Sequence, residues 1–341
     1  MLTIKFHTEV KSLLAFLSAL TVWATGSGCS TTSSKPLPAR ITQVNYHGWS
    51  DAIMMRGAQT EVIIVPSIGR IMQFQFAGEP GPFWQNRVLD GHLHPVHPTN
   101  WINFGGDKTW PAPESEWPKP YGYWLPPAAF DSMPVTAKVE HDEVVLTSPV
   151  DPDYGIRVTR RIHLGPGPTQ MTVSTRYDKV SGPAKKVGVW TITQLQNPLL
   201  VFSPVPWPSR ITNAFHRLSP EPPPDIKVDR DARLQMAWLS LTRDPKAAHK
   251  IGLKSGSLLW VGENVMLRID LPRLSGANYP DGGSSAEVYT NPDPLKYVEL
   301  EMLGPTDRLN PGDYMEFPST YTLLRRTNAS AEADALKVLK P

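Results

Sequence analysis

GIRVTRRIHLGPGPTQMTVSTRY, residues 155–177, sets two runs rich in β-branched residues on either side of a Gly-Pro-Gly-Pro turn. Runs of that length and composition, bounded by turn residues, read as two strands of a hairpin. The same pattern recurs along the chain. Before it come EVIIV (61–65), RIMQFQF (70–76), VTAKVE (135–140) and EVVLTS (143–148). After it come KKVGVWTITQL (185–195), LQMAWLSL (234–241), KIGLKS (250–255), SLLWVG (257–262), NVMLRIDL (264–271), AEVYT (286–290), KYVELEML (296–303) and DYMEFPSTYTLL (313–324). About fourteen strand candidates and one convincing helix, ASAEADALKVLK (329–340), predict an all-β fold, a large sandwich of antiparallel sheets with a short C-terminal helix.

Composition agrees. Among 341 residues there are 36 prolines and 24 glycines, which favour turns over long helices, and 40% hydrophobic content is enough for a sizeable core. A net charge of +2 from intermixed basic and acidic residues leaves no electrostatic footprint for nucleic acid. The N-terminus has the form of an export signal, with Lys5 and Lys11 ahead of the apolar run LLAFLSALTVWA, 13–24, which is too short to span a bilayer. Cys29, the only cysteine, follows directly. Ser27, Gly28 and Cys29 resemble the last three positions of a bacterial lipobox, with Gly26 where leucine is usual. The organisation expected is therefore a lipoprotein-type signal peptide at 1–28, lipidation of Cys29, and a Ser/Thr-rich tether at 29–40. A β-sandwich domain follows at 41–327 and a tail at 328–341. The product would be exported, periplasmic or anchored in the outer membrane through that lipid. A single cysteine excludes an intramolecular disulfide.

Two segments interrupt the strand pattern, Phe83 to Phe130 and Ser203 to Asp225, and loops of this length are expected at the mouth of a site. The first holds WINFGGDKTWPAPESEWP, 101–118. Trp101, Trp110, Trp117 and Trp124 are interleaved there with Asn103, Asp107, Lys108 and Glu114, while Gly105 and Gly106 would let backbone approach a ligand closely. Indole faces stack on the C–H faces of sugars, and charged or amide groups bind the hydroxyls. In KYVELEML, Val298, Leu300 and Met302 share one face. Glu299 and Glu301 share the other, about 7 Å apart. That pair is either a solvated outer face or an acid/base site. His92, His94 and His97 lie close together, yet H-x-H-x-x-H on a proline-broken loop fits no closed zinc pattern, so no metal and no other cofactor is expected. His163, beside Arg161, reads as an ordinary sheet residue.

The motifs VIIVPSIGRIMQFQF (62–76), WINFGGDKTWP (101–111), VWTITQL (189–195) and YVELEMLGPTDRLNPGD (297–313) together resemble an uncharacterised group of bacterial exported proteins. That group is similar to the galactose mutarotase-like, or aldose 1-epimerase-like, superfamily. The resemblance implies a β-supersandwich that binds carbohydrate in a groove on one sheet. It implies a late-strand glutamate as base, here Glu299 or Glu301. The epimerases' histidine acid is not matched: Trp190, Thr193 and Gln194 occupy that region, and Phe104 replaces the histidine before the Gly-Gly pair. The leading expectation is thus an exported protein that binds a saccharide through Trp101, Asn103, Asp107, Lys108, Trp110, Trp190 and Gln194. Aldose 1-epimerase activity, with Glu299 or Glu301 as base and Lys108 or a loop histidine as acid, is the enzymatic alternative. A structural envelope lipoprotein with a filled groove is the third.

Overall fold

The computed structural model describes residues 39–95, 100–118, 124–328 and 330–339. The expected signal, Cys29 and almost all of the tether lie outside them, as does His97. Two antiparallel sheets form the architecture. One runs, edge to edge, through Arg40–Tyr46, Trp49–Arg56, Thr60–Val65, Arg70–Phe76, Asp107–Ala112, Lys185–Gln196, Tyr297–Leu303, Ala286–Thr290, His249–Leu253 and His216–Arg217, with the short Asp307–Leu309 paired onto Lys185–Gln196. The other runs through Lys227–Asp231, Met236–Leu241, Leu200–Val205, Ser257–Val261, Val265–Asp270, Tyr314–Arg325, Gln170–Lys179, Ile156–Leu164, Glu143–Val150 and Thr136–Glu140. The hairpin quoted from residues 155–177 lies in the second sheet, its strands paired from Ile156 opposite Lys179 to Leu164 opposite Met171.

Alternate residues of both sheets meet in one apolar core. Val298, Leu300 and Met302 from the first sheet pack with Val173, Leu267, Ile269 and Leu323 from the second. Each such side chain contributes about 1.5–3 kcal/mol by leaving water. Polar ties cross between the sheets, the most buried of them at Asp107. Asp107, fully buried, accepts hydrogen bonds from Arg160 on the opposite sheet, from the Tyr321 hydroxyl at 2.7 Å and from Thr193 Oγ1 at 2.6 Å.

The segment expected to be a loop across 83–130 contains a central strand, Asp107–Ala112, although Pro111 lies within it. The strand pairs with Lys185–Gln196 from Gly188 opposite Ala112 to Thr193 opposite Asp107. Toward Arg70–Phe76 it pairs only at Ile71, so Pro111 sits where the strand's second edge has no ladder to join. Just ahead of the strand's Asp107 end, Phe83–Gln85 joins the sheet: Trp84 N–H donates to Gln194 O at 2.9 Å and Trp84 O accepts from Gly106 N at 2.9 Å. This explains the Gly-Gly pair, which serves close backbone packing. Gly105 has φ +88°, and a Cβ there would stand 2.3 Å from Trp84 O; one on Gly106 would stand 2.6 Å from Ile71 O.

In the second expected loop, residues 203–205 complete the strand Leu200–Val205, and the chain then runs irregularly apart from His216–Arg217. The C-terminal helix, Ala331–Leu339, packs on the second sheet: Ala335 is buried with Phe202, Leu259 and Met266. Asp334 ties its first turn back to the sheet's end, accepting from the Thr327 and Asn328 N–H groups and from Arg326 at 3.1 Å.

Gly105→Ala is expected to destabilise the fold by at least about 2 kcal/mol, since it combines left-handed strain with a backbone clash. Urea unfolding at fixed temperature measures it, and a change below about 0.5 kcal/mol would contradict the packing described here.

Candidate functional site

Strand parity assembles the site. With Val298, Leu300 and Met302 committed to the core, Glu299 and Glu301 must project from the outer face of the first sheet. Register adds their neighbours. Gln194 lies opposite Glu299 and Ile192 opposite Glu301; on the other flank Tyr289 lies opposite Glu299 and Glu287 opposite Glu301. One strand further out on each side, Lys108 lies opposite Ile192 and Lys250 opposite Tyr289. Three carboxylates and two ammonium groups therefore share one patch of sheet.

The patch is neither solvated nor apolar core. Glu299 is 8% exposed and Glu287, Glu301 and Lys108 at most 1%. Their cover is a layer of indoles. Trp110 meets Trp101, Trp117, Trp124 and Trp190 edge to face at centroid separations of 5.3–5.7 Å. Trp117 donates its Nε1–H to Pro111 O at 2.7 Å, which clamps the cover onto the strand beneath. Trp124 remains 37% exposed and Trp101 half-buried, so the layer thins toward one side.

Beneath the indoles the charges fall into groups. Lys108 Nζ stands 3.7 Å from Glu299 Oε1, beyond hydrogen-bond reach, and 4.6 Å from the Trp110 ring centroid. Gln194 Nε2 donates to that same Glu299 oxygen at 2.6 Å. Lys250 Nζ bridges Glu287 at 2.8 Å and Glu301 at 3.0 Å and lies over the Trp190 ring at 4.5 Å, while Trp190 Nε1 donates to Glu301 Oε2 at 2.7 Å. Next to them Arg70 pairs with Asp131 at 2.6 Å, and Asp131 also accepts from Trp110 Nε1 at 2.9 Å.

Burial sets the protonation tendencies. It pushes the Glu299 carboxyl up and the Glu287 carboxyl well up, and it pulls the Lys108 ammonium down. Burial alone would lower Lys250 too, but Glu301 and Glu287 outweigh it and hold its ammonium above the ordinary range. Burial likewise raises Tyr289 to about 12, with Glu299 adding to the effect. Several polar atoms on this face are buried without a hydrogen-bond partner: Lys108 Nζ, Gln194 Oε1, Glu301 Oε1 and Trp101 Nε1. Buried polar atoms are ordinarily bonded, so these four, with Glu287 Oε1 beside them, leave hydrogen-bonding capacity unused beneath the indoles. The Glu299 and Lys250 side chains, 11% and 21% exposed, stand at the open side.

Of the expected site residues, Trp101, Lys108, Trp110, Trp190, Gln194, Glu299 and Glu301 come together here. Asn103 is half-buried nearby, its side-chain oxygen accepting from Gly105 N at 3.2 Å. Asp107 does not join them. It is adjacent to Lys108 on a strand, so it points to the other face, where it serves the tie between the sheets. Neither described loop histidine supplies an acid. His92 is exposed with its ring 3.0 Å from Asp90 O. His94 packs 4.6 Å from Phe104 and is held down to about 4 by burial and then by Arg70, so it is neutral near pH 7. Lys250, Glu287 and Tyr289 were missed. Their signal was the alternation in AEVYT and the leading lysine of KIGLKS, which become informative only once the strand order is known.

Comparison with solved structures defines the fold. A galactose mutarotase-like protein from Lactobacillus casei superposes with a TM-score of 0.55 at 9% identity, covering 80% of this chain and 100% of that one. A galactose mutarotase related enzyme from Lactobacillus acidophilus gives 0.51 at 9% identity, covering 81% and 97%. A TPR-domain containing protein from Parabacteroides distasonis gives 0.54 at 14% identity; the match covers 83% of this chain but 48% of that longer one. No protein-family model and no curated protein matches the sequence. The fold is galactose mutarotase-like, at identities that carry no function.

Glu287 offers a test of the electrostatics. Its folded value lies well above the ordinary 4.5, so the folded state holds this proton more tightly than the unfolded chain does. Its stabilising contribution is complete below pH 4.5 and is lost as pH rises through the raised value. Glu287→Gln keeps a neutral group there, so the stability of the variant relative to the parent should climb as pH rises from 4.5 toward neutrality. Melting curves across that range check this; a difference independent of pH would mean that Glu287 is ionised throughout.

Proposed function

We propose that the protein is an exported carbohydrate-binding protein whose ligand lies on the outer face of the first sheet, over Glu299, Lys108, Gln194 and Lys250. The observation that carries this reading is the group of unpartnered buried polar atoms set among indole rings. A sugar suits such a surface. Its hydroxyls donate to carboxylate and amide oxygens and accept from an ammonium or indole N–H, while its C–H face rests on an aromatic ring. The names of the Lactobacillus structures, mutarotase-like and mutarotase related, support a sugar as the ligand class.

Isothermal calorimetry on the domain from residue 39 onward, against a panel of neutral mono- and oligosaccharides, tests the reading. Binding should appear for at least one saccharide, and Gln194→Ala should weaken it about tenfold, equivalent to about 1.4 kcal/mol. Failure of the whole panel would remove carbohydrate recognition and leave a structural role.

The Lys108–Glu299 geometry favours a second reading, aldose 1-epimerase chemistry. A carboxylate raised by burial and an ammonium lowered by burial, 3.7 Å apart, can address the two oxygens on one anomeric carbon. Glu299 would take the proton of the anomeric hydroxyl while Lys108 gives one to the ring oxygen. The bond between C1 and the ring oxygen then breaks to give the open-chain aldehyde, and reclosure from the other face completes the exchange. Polarimetry on fresh α-glucose and α-galactose should show acceleration over buffer that falls at least about 100-fold in Glu299→Gln and in Lys108→Met. A parent protein no faster than buffer would dismiss catalysis and leave binding intact.

Export and anchoring belong to the same proposal, carried by the signal-like N-terminus and Cys29. Cys29→Ser should move the protein from the membrane fraction to the soluble periplasm. An unchanged distribution would discard the lipid anchor.

A further inference from the structure

We infer that the ligand is an oligosaccharide, and that a second subsite beside Trp84 binds the sugar units beyond the one at Glu299; this rests on the carbohydrate reading above. A separate pocket of about 670 Å³ opens on this side of the first sheet, within the range of about 300–1,000 Å³ typical of small-molecule sites. Its walls include Tyr46, Gln75, Trp84, Gln85, Asn197 and Lys296.

The pocket adjoins the charged patch through aromatic rings. Tyr289, opposite Glu299, lies 6.2 Å from Tyr297, and Tyr297 lies 4.6 Å from Trp84. Glu299 and Tyr297 are two residues apart on one strand, about 7 Å along the sheet. Tyr297 is 4% exposed, so it forms a low partition whose far side is the half-buried Trp84 at the pocket wall. The two sites are therefore neighbours on one face, separated by roughly the span of a sugar ring.

The chemistry of the pocket also selects hydroxyls over phosphates or acids. Three of those wall residues are neutral amides, Gln85 bonded at both ends and Gln75 and Asn197 each at one, and two present aromatic faces. The cations at its edge are mostly engaged. Arg87 pairs with Asp90 at 3.2 Å and donates to Gln85 Oε1 at 3.1 Å, and the wall carboxylate Glu79 is taken up by Arg325 through two bonds of 2.6 Å. Lys296 is the exposed cation left to reach a ligand oxygen. An anionic ligand would call for several converging, unengaged cations, and a neutral polyol does not.

Calorimetry with glucose, galactose, mannose and xylose against the di- to hexasaccharides of each tests the inference. Affinity should rise at least about tenfold from one sugar unit to three, as a second linked contact is added. Trp84→Ala should abolish that gain while changing monosaccharide affinity by less than about twofold, and Lys296→Ala, an exposed substitution that leaves the fold undisturbed, should reduce it. Thermal melts check that each variant is folded. Monosaccharide binding with no length dependence, or a length gain unaffected in both folded variants, would overturn the second subsite and leave the carbohydrate reading standing. No binding at any length would overturn both.

Discussion

The direction in which Asp107 points determines the rest of the charged face. An isolated carboxylate between two apolar sheets would be costly to bury, so it is satisfied by Arg160 from the opposite sheet and by the hydroxyls of Tyr321 and Thr193. Removing one partner of such a buried pair costs about 3–5 kcal/mol, which makes the arrangement hard to leave. Thr109 reinforces it through the Tyr177 hydroxyl at 2.7 Å. Once Asp107 and Thr109 face inward, Lys108 and Trp110 have no choice but the outer face. One salt bridge inside the sandwich thereby places a lysine and an indole outside it.

That outer face holds its charges under a roof of tryptophan. In water, two ammonium groups and three carboxylates at these spacings would interact weakly, but beneath the indoles each charge is felt by its neighbours. The two lysines respond in opposite directions for a local reason. Lys250 touches the Glu301 carboxylate and the Glu287 carboxyl group and holds its proton firmly; Lys108 stands 3.7 Å from Glu299 and is dominated by burial. One face thus offers a fixed cation and a labile one within a few strands of each other.

Much of this was legible in the sequence, and what was not follows from non-local contacts. The strand runs, the fold class and the shared face of Glu299 and Glu301 come from period-two alternation, which a single strand reveals by itself. The strand at Asp107–Ala112 did not, because proline argues against a central strand unless its second edge is known to be open. Nor could composition separate Asp107 from Lys108, two polar neighbours whose opposite fates depend on a register set by Lys185–Gln196. The sequence left Glu299 and Glu301 between a wet face and an acid/base site. The roof resolves the wet face away, since Trp101, Trp110, Trp117 and Trp124 cover a surface that the strand alone would expose. Gly105 and Gly106 do permit a close approach, and the close neighbours here are the backbone at Trp84 and Ile71.

The tryptophan roof has an optical consequence. Trp101, Trp110, Trp117, Trp124 and Trp190 each lie 5.3–6.1 Å from at least two of the others between ring centroids, close enough for their excited states to couple. Three of these rings, Trp101, Trp110 and Trp190, also carry a lysine ammonium over their faces. Coupled chromophores in a fixed chiral arrangement give strong near-ultraviolet circular dichroism, and a small shift of one ring alters the whole band. The fold has in effect built a chromophore array directly above its buried charges, and its spectrum reports their geometry without any label.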